Sequence, residues 1–537
     1  MKKGRASFVA RRRVRYGFPC ILLAPNPRVN SGPLPFRSTL RKRQRGAGYF
    51  HTIMRRTIYV SPRMRIVSKS YWPSAALCLT LSLPLALSVC LSSAKDRNLQ
   101  QKHSASASAG DSPQPQKYIG PGSCAATSCH GSVKPVPGSR ILQNEYSTWI
   151  VTDKHSSAYQ ALTGDIGERI ARILKLNSKS EDSPKCLACH ALHTTPDLRG
   201  RPFELSEGVS CENCHGPASA WLGPHTTRDW PHEKSVALGM TDTRNVIHRT
   251  EKCLECHLGT KDKFVDHEMI AAGHPDLFFE LDSFSAVMPR HWKSPRESAP
   301  GKNVEDAAWA GVRDWSAGQA VQLRADMERL TWRAKGERSD KKDIWPEYSE
   351  LSCFACHHAL APAKDSWRQA HGFAGRRPGD PAWNSSRYAV FRLLAKQIDS
   401  ANAQELERRI LEVSDEMSKL NPDRSAVAAS ASSAAAIAQR FAGRLAGMQY
   451  DQTLVLRMLQ RISGDAEIIS LADERAAEQA AMAMDSLYIA YSKVAKPDNA
   501  DDVRAAINVL FHQLENPSAY NADQFASSLH RIGAILR

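Results

Sequence analysis

The chain has 537 residues, 42% of them hydrophobic, and a formal net charge of +17, so it is long enough for two or three globular domains. The charge is concentrated at the N-terminus. Residues 1–94 contain 18 Lys and Arg and no Asp or Glu, which leaves residues 95–537 with a net charge of −1. This distribution removes the argument for a basic nucleic-acid-binding domain, and we predict no nucleic-acid partner.

The N-terminal residues are typical of an export signal that follows an extension. From Met64, basic residues precede a mostly apolar run and a small-residue cleavage site that ends at Ala94. We predict a signal peptide at residues 64–94 and export to the periplasm. We interpret residues 1–63 as upstream sequence translated from a misplaced start, with a genuine extension as the alternative. Residues 95–117 are polar and low in complexity, which predicts a flexible linker.

Five short units in the next region each place two cysteines directly before a histidine. The units are Cys124, Cys129 and His130; Cys186, Cys189 and His190; Cys211, Cys214 and His215; Cys253, Cys256 and His257; and Cys353, Cys356 and His357. Four have the Cys-x-x-Cys-His form, and the first has four residues between its cysteines. Two thiols about one helical turn apart can form thioethers with the haem vinyl groups, and the following imidazole can bind the iron.

The units therefore predict five c-type haems, held by ten thioether cysteines and five proximal histidines. Structural zinc, disulfides and a thiol redox pair also use closely spaced cysteines, but none of them explains the histidines. With 19 histidines in the chain, their chance occurrence after all five pairs has a probability on the order of 10⁻⁷. Zinc remains the main alternative.

The chain contains more histidines than the proximal positions require. Ten further histidines lie between residues 104 and 375, which predicts a second imidazole ligand for most of the irons. Our candidates for these distal ligands are His155, His193, His225, His274 and His358. The alternative for each is a propionate partner or a surface residue. We expect the nearby methionines to fill the core instead.

Helical periodicity marks the rest of the chain. It is present at roughly 300–345 and in a series of Ala-, Leu-, Arg- and Glu-rich segments after residue 381. These segments are 384–420, 424–447, 451–463, 470–495, 500–515 and 522–536. We predict a mainly α fold, in which a pentahaem cytochrome c domain at residues 118–380 is built from short helices and loops around stacked haems. A C-terminal helical bundle follows at residues 381–537.

Two segments resemble a known family. Gly-Val-Ser-Cys-Glu-Asn-Cys-His-Gly-Pro from Gly208, with His225 further on, and the opening Tyr118-Ile119-Gly120 resemble the tetrahaem cytochromes c that accept electrons from hydroxylamine oxidoreductase in nitrifying bacteria. More broadly they resemble the multihaem c-type cytochrome superfamily. The resemblance covers about residues 118–275. It implies an exported electron carrier with mainly bis-histidine ligation, whose proximal ligands match His130, His190, His215 and His257.

These features favour an electron-transfer protein that carries single electrons between a redox protein donor and acceptor. A membrane-associated respiratory complex, contacted through the C-terminal helices, is compatible with that function. The alternative is a multihaem oxidoreductase that acts on a small nitrogen or sulfur compound at one open-coordinate haem. Related nitrite reductases mark such a haem with Cys-x-x-Cys-Lys, which does not occur in this sequence. We therefore expect a carrier rather than an enzyme, and we assign no catalytic residue.

Overall fold

The fold is mainly α-helical, which confirms the prediction of the fold class. The computed structural model describes residues 115–201, 203–293, 304–357 and 380–537, with the backbone alone at residues 304–307. Within these ranges, β-structure is limited to two isolated bridges. The predicted extension, the predicted signal peptide and most of the predicted linker lie outside the described residues.

The first half of the described chain contains short helices. They are α1 (Glu145–Thr152), α2 (Asp165–Ile173), α3 (Pro184–His190), α4 (Cys211–His215), α5 (His232–Ala237), α6 (Val246–His257), α7 (His267–Ala272) and α8 (Leu281–Val287). Turns of 3-10 helix lie at Pro121–Cys124, Lys154–Ser157, Tyr159–Ala161, Ser180–Asp182, Pro196–Leu198, Leu205–Glu207 and Pro224–Thr226.

The second half contains the longer helices. They are α9 (Val304–Ala334), α10 (Ser386–Ala389), α11 (Phe391–Ile398), α12 (Ser400–Met417), α13 (Arg424–Gly447), α14 (Gln452–Gly464), α15 (Ala466–Ala472), α16 (Glu474–Ala495), α17 (Ala500–Gln513) and α18 (Ala522–Ile535). Three further 3-10 turns lie at Tyr348–Glu350, Cys353–Ala355 and Pro517–Ala519.

Side-chain caps explain where most of the C-terminal helices begin. The capping residues are Asp399 for α12, Asp423 for α13, Asp451 for α14, Asp473 for α16 and Asn521 for α18, and each accepts a hydrogen bond from a backbone N–H of the first turn. Such a cap typically contributes about 1 kcal/mol. The polar residue before each Ala- and Leu-rich run thus sets the start of the helix.

Helix α9 connects the cysteine-rich region to the C-terminal helices. It packs against α6 and α8, which precede it in the sequence, and against α13 and α16, which follow it. Trp315, Leu323 and Met327 on this helix are fully buried. One hydrophobic core therefore continues from Leu254 to Leu529, across the region of residue 381. None of the described helices has an apolar stretch long enough to span a bilayer.

Candidate haem-binding sites

The cysteine–histidine units lie in helical turns, which orient their side chains together. The second unit ends α3, the third unit forms α4, and the fourth unit ends α6. The fifth begins with a 3-10 turn at Cys353–Ala355. Because helix positions i, i+3 and i+4 lie on one face, both thiols and the imidazole of a helical unit point to the same side. This arrangement suits attachment of one flat cofactor per unit.

The first unit accommodates its two additional residues in a tight loop. The N–H groups of Cys129 and Gly131 both donate to the Ala126 carbonyl, at 2.8 and 3.0 Å. A Cβ atom added to Gly131 would lie 1.8 Å from the Ala125 carbonyl oxygen, so only glycine fits there. The loop thus folds the end of the unit back onto its start.

Four of the proximal histidines face a second imidazole. The distances between ring centroids are 6.3 Å for His130 and His225, 6.3 Å for His190 and His274, 6.2 Å for His257 and His155, and 6.3 Å for His357 and His267. Because a metal–imidazole bond is about 2 Å long, two rings on opposite sides of one metal have centroids about 6 Å apart, whereas two ligands of tetrahedral zinc are about 5 Å apart. The two rings of each pair are therefore at a distance that would hold one haem iron between them.

Hydrogen bonds hold five of these eight rings by Nδ1, which leaves their Nε2 atoms available to a metal. Nδ1 donates to Glu145 in His130 (3.1 Å), to Asp153 in His155 (2.9 Å), to the Ala158 carbonyl in His190 (2.9 Å), to the Leu222 carbonyl in His225 (2.5 Å) and to the Pro275 carbonyl in His274 (2.7 Å). Histidines that bind metals usually donate their other N–H to a carboxylate or a carbonyl. This pattern is a second, independent fit to iron ligation.

The electrostatic environment of the histidines differs between units. Desolvation lowers the pKa of His215 to about 4 and the pKa of His257 to about 3, so both are neutral at physiological pH. The hydrogen bond to Glu145 raises the pKa of His130, and the hydrogen bond to Asp153 raises the pKa of His155 against desolvation. A neutral imidazole is the form that binds a metal, and a carboxylate on Nδ1 makes it a stronger donor.

Three of the predicted ligands do not belong to these four pairs. The ring of His215 faces no second imidazole within the described residues, although His291 and His232 lie within electrostatic range of it. His193 is exposed, and in the described part of the chain it faces no proximal histidine. His358 lies outside the described residues.

His267, which faces His357, is not among the distal ligands predicted from the sequence. His267 begins α7 directly after Asp266, whose side chain caps that helix. His155 likewise follows a capping aspartate, Asp153, which accepts a hydrogen bond from its backbone N–H. An aspartate N-cap just before a histidine holds the imidazole at a fixed helix start. That signal, shared by both histidines, is visible in the sequence and would have indicated His267.

Glu212, between the two cysteines of the third unit, was also missed. Its side chain is buried, and its carboxylate accepts hydrogen bonds from the N–H groups of Ile119 (2.9 Å), Gly120 (2.8 Å) and Ala218 (2.8 Å). The carboxylate thereby fastens the segment before the first unit to the third unit. The two segments that carry the family resemblance are thus parts of one local structure.

Thiols from different units lie close together, and none of the ten motif cysteines is in a disulfide. The thiols of Cys124 and Cys211 are near enough to shift each other's pKa, and so are the thiols of Cys189 and Cys256. Cys214 lies within electrostatic range of Cys253 and Cys256. The first, third, fourth and second units therefore form a continuous series in that order.

The fifth unit adjoins this series through α16. Arg475 forms two hydrogen bonds with Asp276, at 2.9 and 2.6 Å, and Asp276 is two residues beyond His274. Cys353 lies within electrostatic range of both members of this ion pair. The C-terminal helices thus contact the surroundings of both the second and the fifth units.

A mainly α-helical chain with repeated Cys-x-x-Cys-His units and opposed imidazoles has the features of a c-type cytochrome. Comparison with protein families supports that class, because residues 123–216 match the family described as cytochrome c554 and c-prime. The matched segment contains the first three units. It supports a c-type cytochrome in electron transfer and implies covalently bound c-type haem with redox partners. Comparisons with curated proteins and with solved structures gave no match.

Proposed function

We propose that the protein is an exported cytochrome that carries single electrons between respiratory partner proteins through five covalently bound c-type haems. The observation that carries this proposal is the set of four opposed imidazole pairs, each of which includes the histidine of a different cysteine unit. In this proposal the ten cysteines form thioethers. The proximal histidines and His155, His225, His267 and His274 bind iron.

The contacts between units suggest the route of the electrons. The proximity of thiols supports transfer along the series from the first to the third, fourth and second units. The ion pair of Asp276 and Arg475 supports a last step from the second to the fifth unit. An electron carrier needs no substrate pocket, only short distances between successive haems.

The partners and the location follow from the sequence features. The predicted signal peptide supports a periplasmic location, where haem is attached to such units. The resemblance to the acceptor of hydroxylamine oxidoreductase favours a donor enzyme that oxidises a small nitrogen compound. The C-terminal helices offer a surface for a membrane-associated respiratory complex.

Mass spectrometry of the mature protein tests the haem count. We expect the mass of a chain that begins at Lys95 plus five haems, because each unit supplies both thioether positions. A variant with Cys353→Ser and Cys356→Ser should carry four haems, and Cys20→Ser should leave the count at five. A mature wild-type mass equal to that of the bare polypeptide would rule the proposal out.

The carboxylate of Asp153, which accepts a hydrogen bond from the proposed distal ligand His155, should lower the midpoint potential of one haem. Asp153→Asn replaces the acceptor of the His155 Nδ1–H, so the imidazole becomes a weaker donor and the ferric form loses stabilisation. If the carboxylate favours ferric over ferrous iron about tenfold, one midpoint potential should rise by about 60 mV. Asp197→Asn, at an exposed position, is the control. Redox titration followed by optical spectroscopy measures both, and equal potentials in both variants would contradict the assignment.

A second candidate function is reduction or oxidation of a small nitrogen or sulfur compound at the third unit. The observation that favours it is the His215 ring, which faces no second imidazole in the described part of the chain. An iron with a free sixth position would be high-spin and would bind carbon monoxide when reduced. Electron paramagnetic resonance and carbon monoxide titration test this function. One high-spin iron per chain supports it, and exclusively low-spin iron excludes it.

A further inference from the structure

We propose that the fifth unit couples electron uptake to proton uptake, with Glu474 at the start of α16 as the proton acceptor. The inference rests on the proposed binding of a haem by this unit. One electron from the redox donor reduces the iron from ferric to ferrous. One proton from solvent converts the Glu474 carboxylate to the neutral acid, so the net charge of the site is unchanged.

Glu474 is a buried carboxylate that lacks a full set of partners. Its side chain is 4% exposed, and its Oε1 atom is buried without a hydrogen-bond partner. The adjacent Arg475 donates to Asp276 and Glu478 instead. An ionised carboxylate in such a place is costly unless it is paired, so the neutral acid is favoured.

The surroundings of Glu474 are mostly acidic. The charged and titratable groups that face its cluster are Asp473, Arg475 and Glu478 on α16, Asp276 after α7, Arg387 on α10, Tyr520 after the last 3-10 turn, and Cys353 of the fifth unit. Four carboxylates thus share two guanidinium groups, and Arg387 also pairs with Asp326. Burial and the negative charge of Glu478 raise the pKa of Glu474 to about 8.

The Glu474 carboxylate lies near the fifth unit. Cys353 lies within electrostatic range of Glu474. In a region of low dielectric constant, a negative charge added nearby stabilises the protonated acid over the carboxylate. A small cleft beside the cluster is lined by Asp276, Ser386 and Arg475, the last of which adjoins Glu474 in the chain. The chain therefore contains a buried proton acceptor whose charge is felt at the fifth unit.

Redox titrations of the complete protein from about pH 6 to about pH 10 test the coupling. One midpoint potential should fall as the pH rises around pH 8, by at most about 59 mV per pH unit, which is the limit for one proton per electron. In Glu474→Gln, that potential should not depend on pH and should equal the low-pH value of the wild type. Glu467→Gln, an exposed change on the neighbouring α15, should keep the wild-type slope.

Other outcomes would overturn the inference. A slope that persists in Glu474→Gln, or one that disappears only in Glu478→Gln, assigns the proton to another group. Infrared difference spectra of the wild type provide a readout that needs no variant. A protonated carboxyl band should appear on reduction at about pH 9, and its absence would contradict proton uptake by Glu474. A mass that shows only four haems would instead refute the haem count of the proposed function.

Discussion

Replacing His267 with alanine should leave one of the five proposed haem irons with a single protein ligand and convert it from low-spin to high-spin. The His267 ring lies opposite His357, with the centroids 6.3 Å apart, so its removal takes away the only imidazole that faces His357 in the described part of the chain. The same substitution at His193 should change nothing, since His193 is exposed. Electron paramagnetic resonance should show one more high-spin iron per chain in the first variant only.

A second substitution separates loss of the ligand from loss of the fold. His267→Met keeps six ligands, so the iron should stay low-spin while its potential rises, because a thioether stabilises the ferrous form. The rise should be on the order of 100 mV or more, within the range of about 0.8 V that axial ligands span. If alanine at positions 193 and 267 gave equal high-spin signals, the pairing of His267 with His357 would be wrong.

Proximal and distal ligands differ in how well the sequence alone predicts them. The proximal units are local patterns, because five or seven consecutive residues supply both thioethers and one ligand. A distal ligand comes from a distant part of the chain. His155 and His257, for example, are 102 positions apart, whereas the residues of one unit span at most seven positions. Spacing alone therefore selected His193, three residues after His190, although the tertiary fold leaves it exposed. The capping aspartate before His267 is visible in the sequence, but the pairing of His267 with His357 depends on the tertiary fold.

The helices show the same division between local and tertiary information. The predicted segment 424–447 is helix α13 without any change of bounds, since Asp423 caps it. The predicted helical segment 384–420 contains three helices, α10, α11 and α12, and the chain is extended at Asp399, directly before α12. Asp399-Ser400 is a capping signal that was available in the sequence. The burial of α9, in contrast, depends on α13 and α16, which begin only at residues 424 and 474.

Charged side chains were the least predictable feature. Arg and Glu at helical spacing usually indicate a solvated face. In this structure, however, Arg329 and Arg333 of α9 are buried and meet Glu350, which is also buried. The distances are 2.8 and 2.7 Å from Arg329 to the two carboxylate oxygens and 2.5 Å from Arg333. Asp326 and Arg387 extend the network to α10.

This network fixes the chain three residues before the fifth unit. Glu350 ends the 3-10 turn that leads to Cys353, and its two arginine partners are buried on α9. Glu350→Gln should lower the free energy of unfolding by about 3–5 kcal/mol, because two buried guanidinium groups lose their shared counter-ion. Glu405→Gln is the matched control. It removes a carboxylate that pairs with Arg408 and Arg409 on the surface, where solvent screens the charges, so the free energy of unfolding should change little.

Urea unfolding followed by circular dichroism measures both variants, and its pH dependence gives the network a signature of its own. The charges of Arg329 and Arg333 outweigh burial and lower the pKa of Glu350 from 4.5 to about 2. Because the folded pKa is the lower one, this stabilisation is complete above about pH 4.5 and is lost as the pH falls toward 2. The loss should amount to roughly 3 kcal/mol. Glutamine at position 350 cannot titrate, so the difference in stability between wild type and Glu350→Gln should shrink over this interval. A difference that stays constant would mean that the arginines do not stabilise the ionised form of Glu350.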